Sequence, residues 1–482
     1  MLTGVNLLLR FVGTSFQVNL SGRIGPEGIG LLQLTLSVGV MAMVAGMGGI
    51  RTATMYLTAE ELGRGRPKNI TWVLSGCILY SLLFSVTVGL IVYILAPTIA
   101  TEWIGNKEII GALRLYATFL PVSCLCGVMT GYFTGANRIG TLAAVEVAEQ
   151  ILCMLCTIVL LTFWAGHDPV RSCKAVIFGS CLGACMTLCA LTLLRLKEMV
   201  HTGKRIPMAS RLTQAALPLA IADDLRTGIN TVENLMVPKR LALYPGTRSA
   251  LADFGIVSGM VFPILMFPAA ILFGLTELLI PELARCQAAG SDRRIRYLVR
   301  KSLRVALLYG ALCGGVIFLC AEDLGLALYQ NADAGRYLKW FSLLAIALYL
   351  DAVTDAMIKG LGEQKASVRY NILTNTLDVI FLFILLPKYG IFGYFISFLV
   401  THIINLILSL RRLLMISRVA ISPACGALIL LCTASAILLG SFPAVPWARG
   451  ALFVTAFTTC LFLTGVLTKN DIRWIKGLIR RK

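Results

Sequence analysis

The sequence has few charged residues for its length. Only 14% of its 482 residues are charged and 57% are hydrophobic, whereas a soluble domain carries about 25% charged residues. No polar stretch is long enough to form a separate soluble core. Because each membrane-spanning helix needs about 20 apolar residues, the sequence predicts an all-α integral membrane protein with about 14 transmembrane helices.

Sequence motifs of catalysis and ATP hydrolysis are also missing. The chain contains no G-x-x-x-x-G-K-[ST], H-E-x-x-H or G-x-S-x-G segment, and no voltage-sensor span or selectivity filter. It has only three histidines, and its fifteen cysteines lie mostly in apolar runs, where cysteine behaves as a small hydrophobe. We therefore expect no enzyme activity, no catalytic residues and no cofactor, metal or disulfide. The class of protein that these absences leave is a secondary carrier or a flippase.

The net charge of +19 is spread over short loops, which favours membrane orientation over nucleic-acid binding. By our count, the loops after even-numbered spans and the C-terminal tail hold roughly 28 Lys and Arg, against roughly 12 in the other loops. The clearest basic loops are Arg64–Lys68, Lys197–Arg211 and Arg293–Arg304. This asymmetry predicts a multi-pass protein with both termini in the cytoplasm.

The apolar runs define the predicted spans. They are 1–22, 28–60, 70–97, 108–136, 139–166, 172–198, 211–243, 250–284, 294–321, 336–362, 364–387, 390–414, 418–441 and 446–467. After Thr468, apolar and basic residues alternate, as in an interfacial amphipathic helix. An ordinary basic tail of the positive-inside type fits that segment as well.

An internal repeat relates residues that are 225 positions apart. It pairs Gly30 with Gly255, Gly135 with Gly360, Glu146 with Asn371 and Gln150 with Asn375. One shift at several places predicts two six-helix lobes, 1–210 and 211–417, followed by two further helices and the basic tail in 418–482. Because six is an even number, both lobes run in the same direction, and an axis along the membrane normal should relate them.

Charges inside a membrane are expensive and mark functional sites. Arg10 lies halfway along the first span and Arg51 near the end of the second. A guanidinium suits a phosphate because its planar fork binds two oxygens at once. Alternatively, Arg10 forms an ion pair with a carboxylate of another helix. The alternative for Arg51 is that its side chain extends to the inner membrane interface.

Span seven carries a dense set of polar residues. They are Asp223, Asp224, Arg226, Asn230, Glu233 and Asn234. A helix with so many polar groups cannot present that side to lipid, so it should line a water-filled cavity. Asp223 and Arg226 are three residues apart and could also neutralise each other.

Carboxylates and amides in other spans are candidates for ion coupling or for the polar wall. The carboxylates that could bind H⁺ or Na⁺ are Glu146, Glu149, Asp223, Asp351, Asp355 and Asp378. Asn371 and Asn375 share a face with Asp378 and are candidates to line the cavity. Hydrogen bonding between helices is the alternative for each of them.

Several segments resemble one known family. Asn6–Gly13 and Arg23–Leu34 resemble the opening of the stage V sporulation protein B group, in the polysaccharide-exporter branch of the multidrug/oligosaccharidyl-lipid/polysaccharide (MOP) flippase superfamily. Further similar segments follow in the same order: Val145–Ile151, Glu233–Leu241, Phe254–Met260, Leu279–Leu283 and Gly360–Gln364.

The resemblance implies a MATE-like fold of fourteen helices in two lobes around a central cavity. It also implies a monomer of the bacterial cell membrane that moves undecaprenyl-linked saccharide precursors. In the related lipid II flippases, arginines of helices one, two and eight serve the cavity. Arg10 and Arg51 match the first two, span eight contains no arginine, and Arg226 is the candidate substitute.

The resulting hypothesis is a flippase for undecaprenyl-(pyro)phosphate-linked saccharides, with Arg10, Arg51 and Arg226 as phosphate ligands. Its partners would be the lipid-linked substrate, membrane lipids and H⁺ or Na⁺, without nucleic acid. Two other functions stay open: a cation-coupled multidrug antiporter, with carboxylates at the cavity centre, and a non-transporting scaffold for envelope or spore assembly.

Overall fold

The computed structural model describes the backbone of residues 2–166, 168–196, 209–420, 423–443 and 445–467. Within these ranges it also describes the side chains, apart from 2–10, 209–211, 213–215, 218, 219, 222 and 423. The side chain of Arg10 and the predicted interfacial helix after Thr468 therefore lie outside the described residues. The described part is helical and contains no strand.

The chain forms two compact units, Met1–Gly255 and Ile256–Lys482. The helices of the first unit are α1 (Leu2–Met47), α2 (Ile50–Gly63), α3 (Ile70–Thr98), α4 (Ile110–Gly135), α5 (Ile139–Leu160), α6 (Pro169–Leu196) and α7 (Ala209–Leu241). Helix α8 (Ala250–Ile256) ends at the boundary between the units. The predicted lobe boundaries at 210 and 417 stay a prediction.

The second unit is built in the same manner. Its helices are α9 (Phe262–Ala288), α10 (Asp292–Tyr329), α11 (Ala332–Phe341), α12 (Leu344–Gly360), α13 (Gln364–Ser417), α14 (Pro423–Gly440) and α15 (Pro446–Leu463). Short π-helical turns extend α3 and α5 and join α8 to α9.

Glycines interrupt the longest helices. Gly25 in α1 has φ 70° and ψ 175°, and Gly390 in α13 has φ 60° and ψ −139°, conformations that glycine adopts without steric cost. These breaks fall where the sequence separates spans one and two, and spans eleven and twelve. Within the predicted span 28–60, Gly48 and Gly49, both with positive φ, divide α1 from α2.

Within the described residues, nine helical runs are long and apolar enough to cross a membrane. The bent pair α11 and α12, which turns by 53°, makes a tenth if it counts as one span. Helix α7 is not among the nine, in keeping with its many polar residues. A multi-pass helical membrane fold is thus confirmed, whereas the number of fourteen spans stays a prediction.

The internal repeat is confirmed by backbone features that recur at the same shift of 225 residues. Asn106 and Asn331 both cap a helix N-terminus with their side chains, and both are extended. Positive φ angles recur in the pairs Gly65 and Gly290, Gly105 and Gln330, and Asn137 and Gly362. The two units therefore follow one chain path with no insertion over this stretch.

Close helix contacts repeat as well. A Cβ built on Gly89 would lie 2.9 Å from the carbonyl oxygen of Ala117, and one on Gly314 would lie 3.1 Å from that of Ser342. Such glycines allow helix backbones to approach closely. Gly314 and Ser342 each lie 225 positions after Gly89 and Ala117. The contact between α3 and α4 in the first unit therefore recurs in the second unit, between α10 and the turn that joins α11 to α12.

Each unit has its own apolar core. In the first unit, Leu20, Ile29 and Leu32 of α1 pack with residues of α4 and α6. In the second unit, Phe453 and Phe457 of α15 are stacked, and they pack in one buried cluster with residues of α10 and α14. The two C-terminal helices are thus fixed to the second unit through α10.

Candidate functional site

A polar cavity of about 510 Å³ lies within the first unit, among α1, α2 and α7. Its size is that of a typical small-molecule site. It is lined by Gln33, Leu36, Ser37, Val40, Val44, Met47, Gly49, Arg51, Thr52, Asp223, Arg226, Thr227, Asn230, Thr231 and Asn234. The structure therefore brings together Arg51, from the second predicted span, and the polar face of the seventh.

The break between α1 and α2 forms one side of this cavity. A Cβ built on Gly49 would lie 2.5 Å from the carbonyl oxygen of Ala216 and 3.0 Å from the amide nitrogen of Ala220. Gly49 also has φ 71°, so both its conformation and its neighbours require glycine. This contact seats α7 directly on the break and places Arg51 beside the α7 polar face.

Arg51 lies in the first turn of α2, and Gly49, Arg51 and Thr52 all line the cavity. The first amide groups of a helix have no partner within the helix, and the helix dipole makes this end positive. Half-helices in transporters use such ends to bind anionic groups of their substrates. The backbone thus adds to the positive potential that the guanidinium supplies.

The α7 wall presents Asp223, Arg226, Asn230 and Asn234 to the cavity. Glu233 differs: it is 8% exposed and is not among the lining residues. At 100° per residue, the lining residues centre near Asn230, and Glu233 falls at the edge of that arc. Glu233 follows Asn230 by three residues, and helix residues at this spacing are only approximately aligned.

The α1 wall contributes residues that the sequence did not single out. Asn234 Nδ2 donates to Ser37 Oγ at 3.0 Å, and the Thr231 hydroxyl donates to the Ser37 carbonyl at 3.2 Å. Gln33 and Ser37 are one turn apart and both line the cavity. This spacing of polar residues in an apolar helix was a signal that could have identified them.

The described lining of the cavity has two cations, Arg51 and Arg226, and one acid, Asp223. In the described part of the chain, no carboxylate lies within ion-pair distance of either guanidinium, and both arginines are exposed to the cavity. Glu146 of α5 lies within electrostatic reach of Arg51. The site is therefore cationic and suited to an anion.

The two α5 acids lie elsewhere in the first unit. Glu146 and Glu149 are both half-buried. The Thr187 hydroxyl of α6 donates to Glu149 Oε2 at 2.7 Å. Neither acid is among the residues that line the cavity.

The remaining candidates lie in the second unit, in α12 and α13. Asn405 Nδ2 donates to both carboxylate oxygens of Asp351, at 3.0 and 2.9 Å. The fully buried Asp378 accepts from the hydroxyls of Ser397 at 2.5 Å and Thr401 at 3.2 Å. These contacts connect α12 to α13 and join the two segments of α13 across its glycine break.

The polar residues nearer the start of α13 form a connected set with α12. Lys359 Nζ lies 2.6 Å from Asp355 Oδ2, and the Ser367 hydroxyl also donates to Asp355. Asn371 Nδ2 donates to the Ser367 carbonyl at 2.9 Å, and Asn375 is half-buried one turn further along. Asn371 thus belongs to the second unit's hydrogen-bonding network.

The repeat shows which polar residues the shared fold does not require. The counterparts of Asp351, Asp378 and Asn405, 225 positions earlier, are Cys126, Cys153 and Ser180. The counterpart of Arg51 is Thr276. The acids Asp351 and Asp378 are therefore peculiar to the second unit, and the cation Arg51 at the start of α2 is peculiar to the first.

A duplicated set of membrane helices with a polar cavity is typical of a membrane transporter. The sequence profile of the MatE family matches residues 3–166 and 240–384, so the chain belongs to the MatE family. This finding confirms the family that the sequence resemblance indicated.

Two curated relatives come from Bacillus subtilis (strain 168). Stage V sporulation protein B is 20% identical over 404 residues, which cover 81% of this chain and 78% of the relative. Sporulation protein YkvU is 23% identical over 283 residues, which cover 55% of this chain and 61% of that protein.

Two solved structures are similar in fold. The lipid II flippase MurJ in an inward closed conformation has a TM-score of 0.71 at 12% identity, covering 97% of this chain and all of that chain. An inward-facing multidrug resistance MATE family transporter has a TM-score of 0.69 at 14% identity, covering 87% of this chain and all of the other. At these identities the likeness concerns the fold.

Proposed function

We propose that this protein is a flippase that moves undecaprenyl-(pyro)phosphate-linked saccharide precursors across the bacterial cell membrane by alternating access. The observation that carries the proposal is the first-unit cavity, in which Arg51 and Arg226 face a common space without a neutralising carboxylate at ion-pair distance among the described residues. A drug cation would find repulsion there, whereas a phosphate finds two guanidinium groups.

The phosphates bind to Arg51 and Arg226 and to the positive end of α2. One guanidinium group can bind two phosphate oxygens at once. The first amide groups of α2 supply further donors. The sugar lies against the side-chain amides of Gln33, Asn230 and Asn234, which can donate to and accept from its hydroxyl groups. Such neutral groups fix orientation by hydrogen bonds.

The polyprenyl tail remains in the membrane while the head group crosses. Only the head group needs a hydrated path, because the tail is as apolar as the lipid around it. Arg10 stays a predicted third phosphate ligand, since its side chain lies outside the described residues. The predicted cytoplasmic position of both termini and the monomeric state belong to the proposal in the same way.

Coupling to H⁺ or Na⁺ is assigned to the second unit. Asp378 is buried and accepts two hydroxyl hydrogen bonds, and Asp351 is held by Asn405. Carboxylates inside a membrane bundle mark ion pathways, and their counterparts in the first unit are cysteines. Asp355 of the same unit is a further candidate, and the first-unit acids Glu146, Glu149 and Asp223 stay alternative candidates. The same acids are the one observation that favours the second function, a cation-coupled multidrug antiporter.

Proteoliposomes that contain the full chain test the proposal directly. A fluorescent short-chain polyprenyl-pyrophosphate disaccharide is added, and its transfer between leaflets is followed by quenching from outside. We expect transfer with the native chain and at least a tenfold slower rate with Arg51→Gln or Arg226→Gln. The control is Arg171→Gln, an exposed arginine that pairs with Asp168 at 3.3 Å outside the cavity.

Three results would contradict the proposal. Transfer at the native rate in both cavity variants would show that the substrate takes a route that does not involve these arginines. Ethidium transport driven by an ion gradient, without transfer of the pyrophosphate lipid, would support the antiporter. Equal losses in Arg171→Gln and the cavity variants would show that general charge, and not the cavity, matters.

A further inference from the structure

The first thirteen residues of α10, Asp292–Arg304, form a strongly basic helical segment. Its basic residues are Arg293, Arg294, Arg296, Arg300, Lys301 and Arg304. The next seventeen residues, 305–321, contain no charge. A change of this kind within one continuous helix marks the place where the helix leaves the hydrocarbon.

The length of α10 supports this placement. Its 38 residues extend about 57 Å at 1.5 Å per residue, whereas the hydrocarbon core is about 30 Å thick. The basic segment must therefore lie in the head-group region and beyond it, with or without a tilt of the helix.

One face of the basic segment is open and the other is packed. Arg293, Tyr297 and Arg300 are exposed, and Arg296 is half-buried. Ile295, Val299 and Leu303 on the opposite face are buried. Because residues at i, i+3, i+4 and i+7 share a face, the exposed arginines form one strip with an aromatic residue at its centre.

Other charged groups leave the strip cationic. Arg294 is held by Glu282 of α9 at 2.5 Å, which fixes the start of α10 to its own unit. Lys301 lies over the Tyr297 ring at 5.9 Å. Asp292, at the helix start, is the only acid among the thirteen residues.

The repeat provides an internal control for this feature. The segment 67–79 precedes Asp292–Arg304 by 225 positions and contains a single basic residue, Lys68. Two more, Arg64 and Arg66, lie in the preceding turn. At the equivalent place, the first unit has three basic residues, two of which lie before the segment. A basic strip along the helix itself is an addition that the shared fold does not require.

We infer that Arg293, Arg296 and Arg300, together with Tyr297, form a surface that binds anionic phospholipid head groups. Clusters of four to eight basic residues beside a membrane helix attract anionic lipids. Guanidinium groups suit the lipid phosphate because they donate to two oxygens, and tyrosine favours the interface between lipid and water. The strip anchors the second unit to the leaflet on its side.

The test uses the purified full chain in vesicles and spin-labelled lipids. The fraction of immobilised lipid is measured for spin-labelled phosphatidylglycerol and for spin-labelled phosphatidylcholine. We expect the native chain to immobilise phosphatidylglycerol several-fold more than phosphatidylcholine. The triple variant Arg293→Gln, Arg296→Gln, Arg300→Gln should lose at least two-thirds of that preference. The control, Arg64→Gln, Arg66→Gln, Lys68→Gln, removes the same charge and should keep it.

A second measurement keeps every charge in place. In Tyr297→Trp, lipid contact is read as the difference in quenching from the native chain, which has six tryptophans, and brominated phosphatidylglycerol is compared with brominated phosphatidylcholine. Stronger quenching by phosphatidylglycerol would support the surface, and equal quenching would overturn it. Three results of the spin-label measurement would overturn it too. The native chain could show no preference for phosphatidylglycerol, or both triple variants could lose that preference equally. Full displacement of the lipid by 50 mM inorganic phosphate would show a general anion site.

Discussion

Arg51 and Arg226 line the same cavity although they lie on helices far apart in the chain. Their approach depends on the glycine break between α1 and α2, because α7 rests on Gly49 through its backbone at Ala216 and Ala220. A local feature of a few residues therefore positions a cation from each of two helices. The account predicts that changes at this junction affect function more than changes of similar size elsewhere.

The first prediction concerns the acid in the cavity. Asp223→Asn removes the only carboxylate in the described lining and leaves the side-chain volume nearly unchanged. Because a like charge beside a bound phosphate is unfavourable, we expect head-group affinity to rise about three- to tenfold, which corresponds to roughly 1 kcal/mol. Calorimetric titration with a water-soluble sugar pyrophosphate measures this. Weaker binding would mean that Asp223 contacts a cationic part of the ligand.

The second prediction concerns the packing of α2. A Cβ on Gly131 of α4 would overlap the carbonyl oxygen of Arg51, so Gly131→Ala must displace the start of α2. We expect a loss of about 1–3 kcal/mol of stability and slower transfer of the lipid substrate. Gly140→Ala is the matched control, because nothing lies within 4 Å of its Cβ position. Thermal unfolding in detergent compares the two, and equal melting temperatures would contradict the prediction.

The third prediction concerns the role of Asp378 of the second unit in ion coupling. Asp378→Asn should abolish the dependence of transport on an H⁺ or Na⁺ gradient, because it removes the charge that a cation would neutralise. Cys153→Ser changes the counterpart position in the first unit and should leave that dependence intact. Transport rates with and without each gradient give the comparison. An unchanged gradient dependence in Asp378→Asn would exclude this carboxylate from coupling.

The fourth prediction tests the repeat through its caps. Asn106 accepts a hydrogen bond from the Glu108 amide, and Asn331 accepts one from the Ala334 amide, both at 2.9 Å. Replacing a capping asparagine by alanine costs about 1 kcal/mol, so Asn106→Ala and Asn331→Ala should destabilise the protein to a similar degree. Thermal unfolding checks this. A large loss of stability at one position alone would show that the two caps contribute differently to the stability of the protein.

Much of the fold was predictable because membrane helices and repeats leave strong patterns in a sequence. The 225-residue shift was visible from pairs such as Gly135 and Gly360, and the structure places both glycines at the ends of equivalent helices. The division of span 28–60 could not be decided from the sequence, since the glycines near its centre are compatible with either close packing or a break. Only the fold shows that α7 occupies the space beside them.

The site was predictable in part. Arg51 and the polar side of α7 stood out because charge is rare in membrane helices. Gln33 and Ser37 did not, because a neutral polar residue in a helix more often bonds to its own backbone, as Ser37 does with the Gln33 carbonyl. The position of Glu233 depended on a rotation of a few tens of degrees, which residue spacing does not determine.

The most direct test of the central claim is a double-mutant cycle on ligand binding. Affinity for a polyprenyl-pyrophosphate disaccharide is measured for the native chain, Arg51→Gln, Arg226→Gln and the double variant, and again with the same disaccharide on an uncharged polyprenol. If both guanidinium groups hold one pyrophosphate, each single change weakens binding of the charged ligand at least tenfold, the two losses are not additive, and the uncharged ligand is unaffected. Equal affinities of all four proteins for the charged ligand, or equal losses for both ligands, would contradict it.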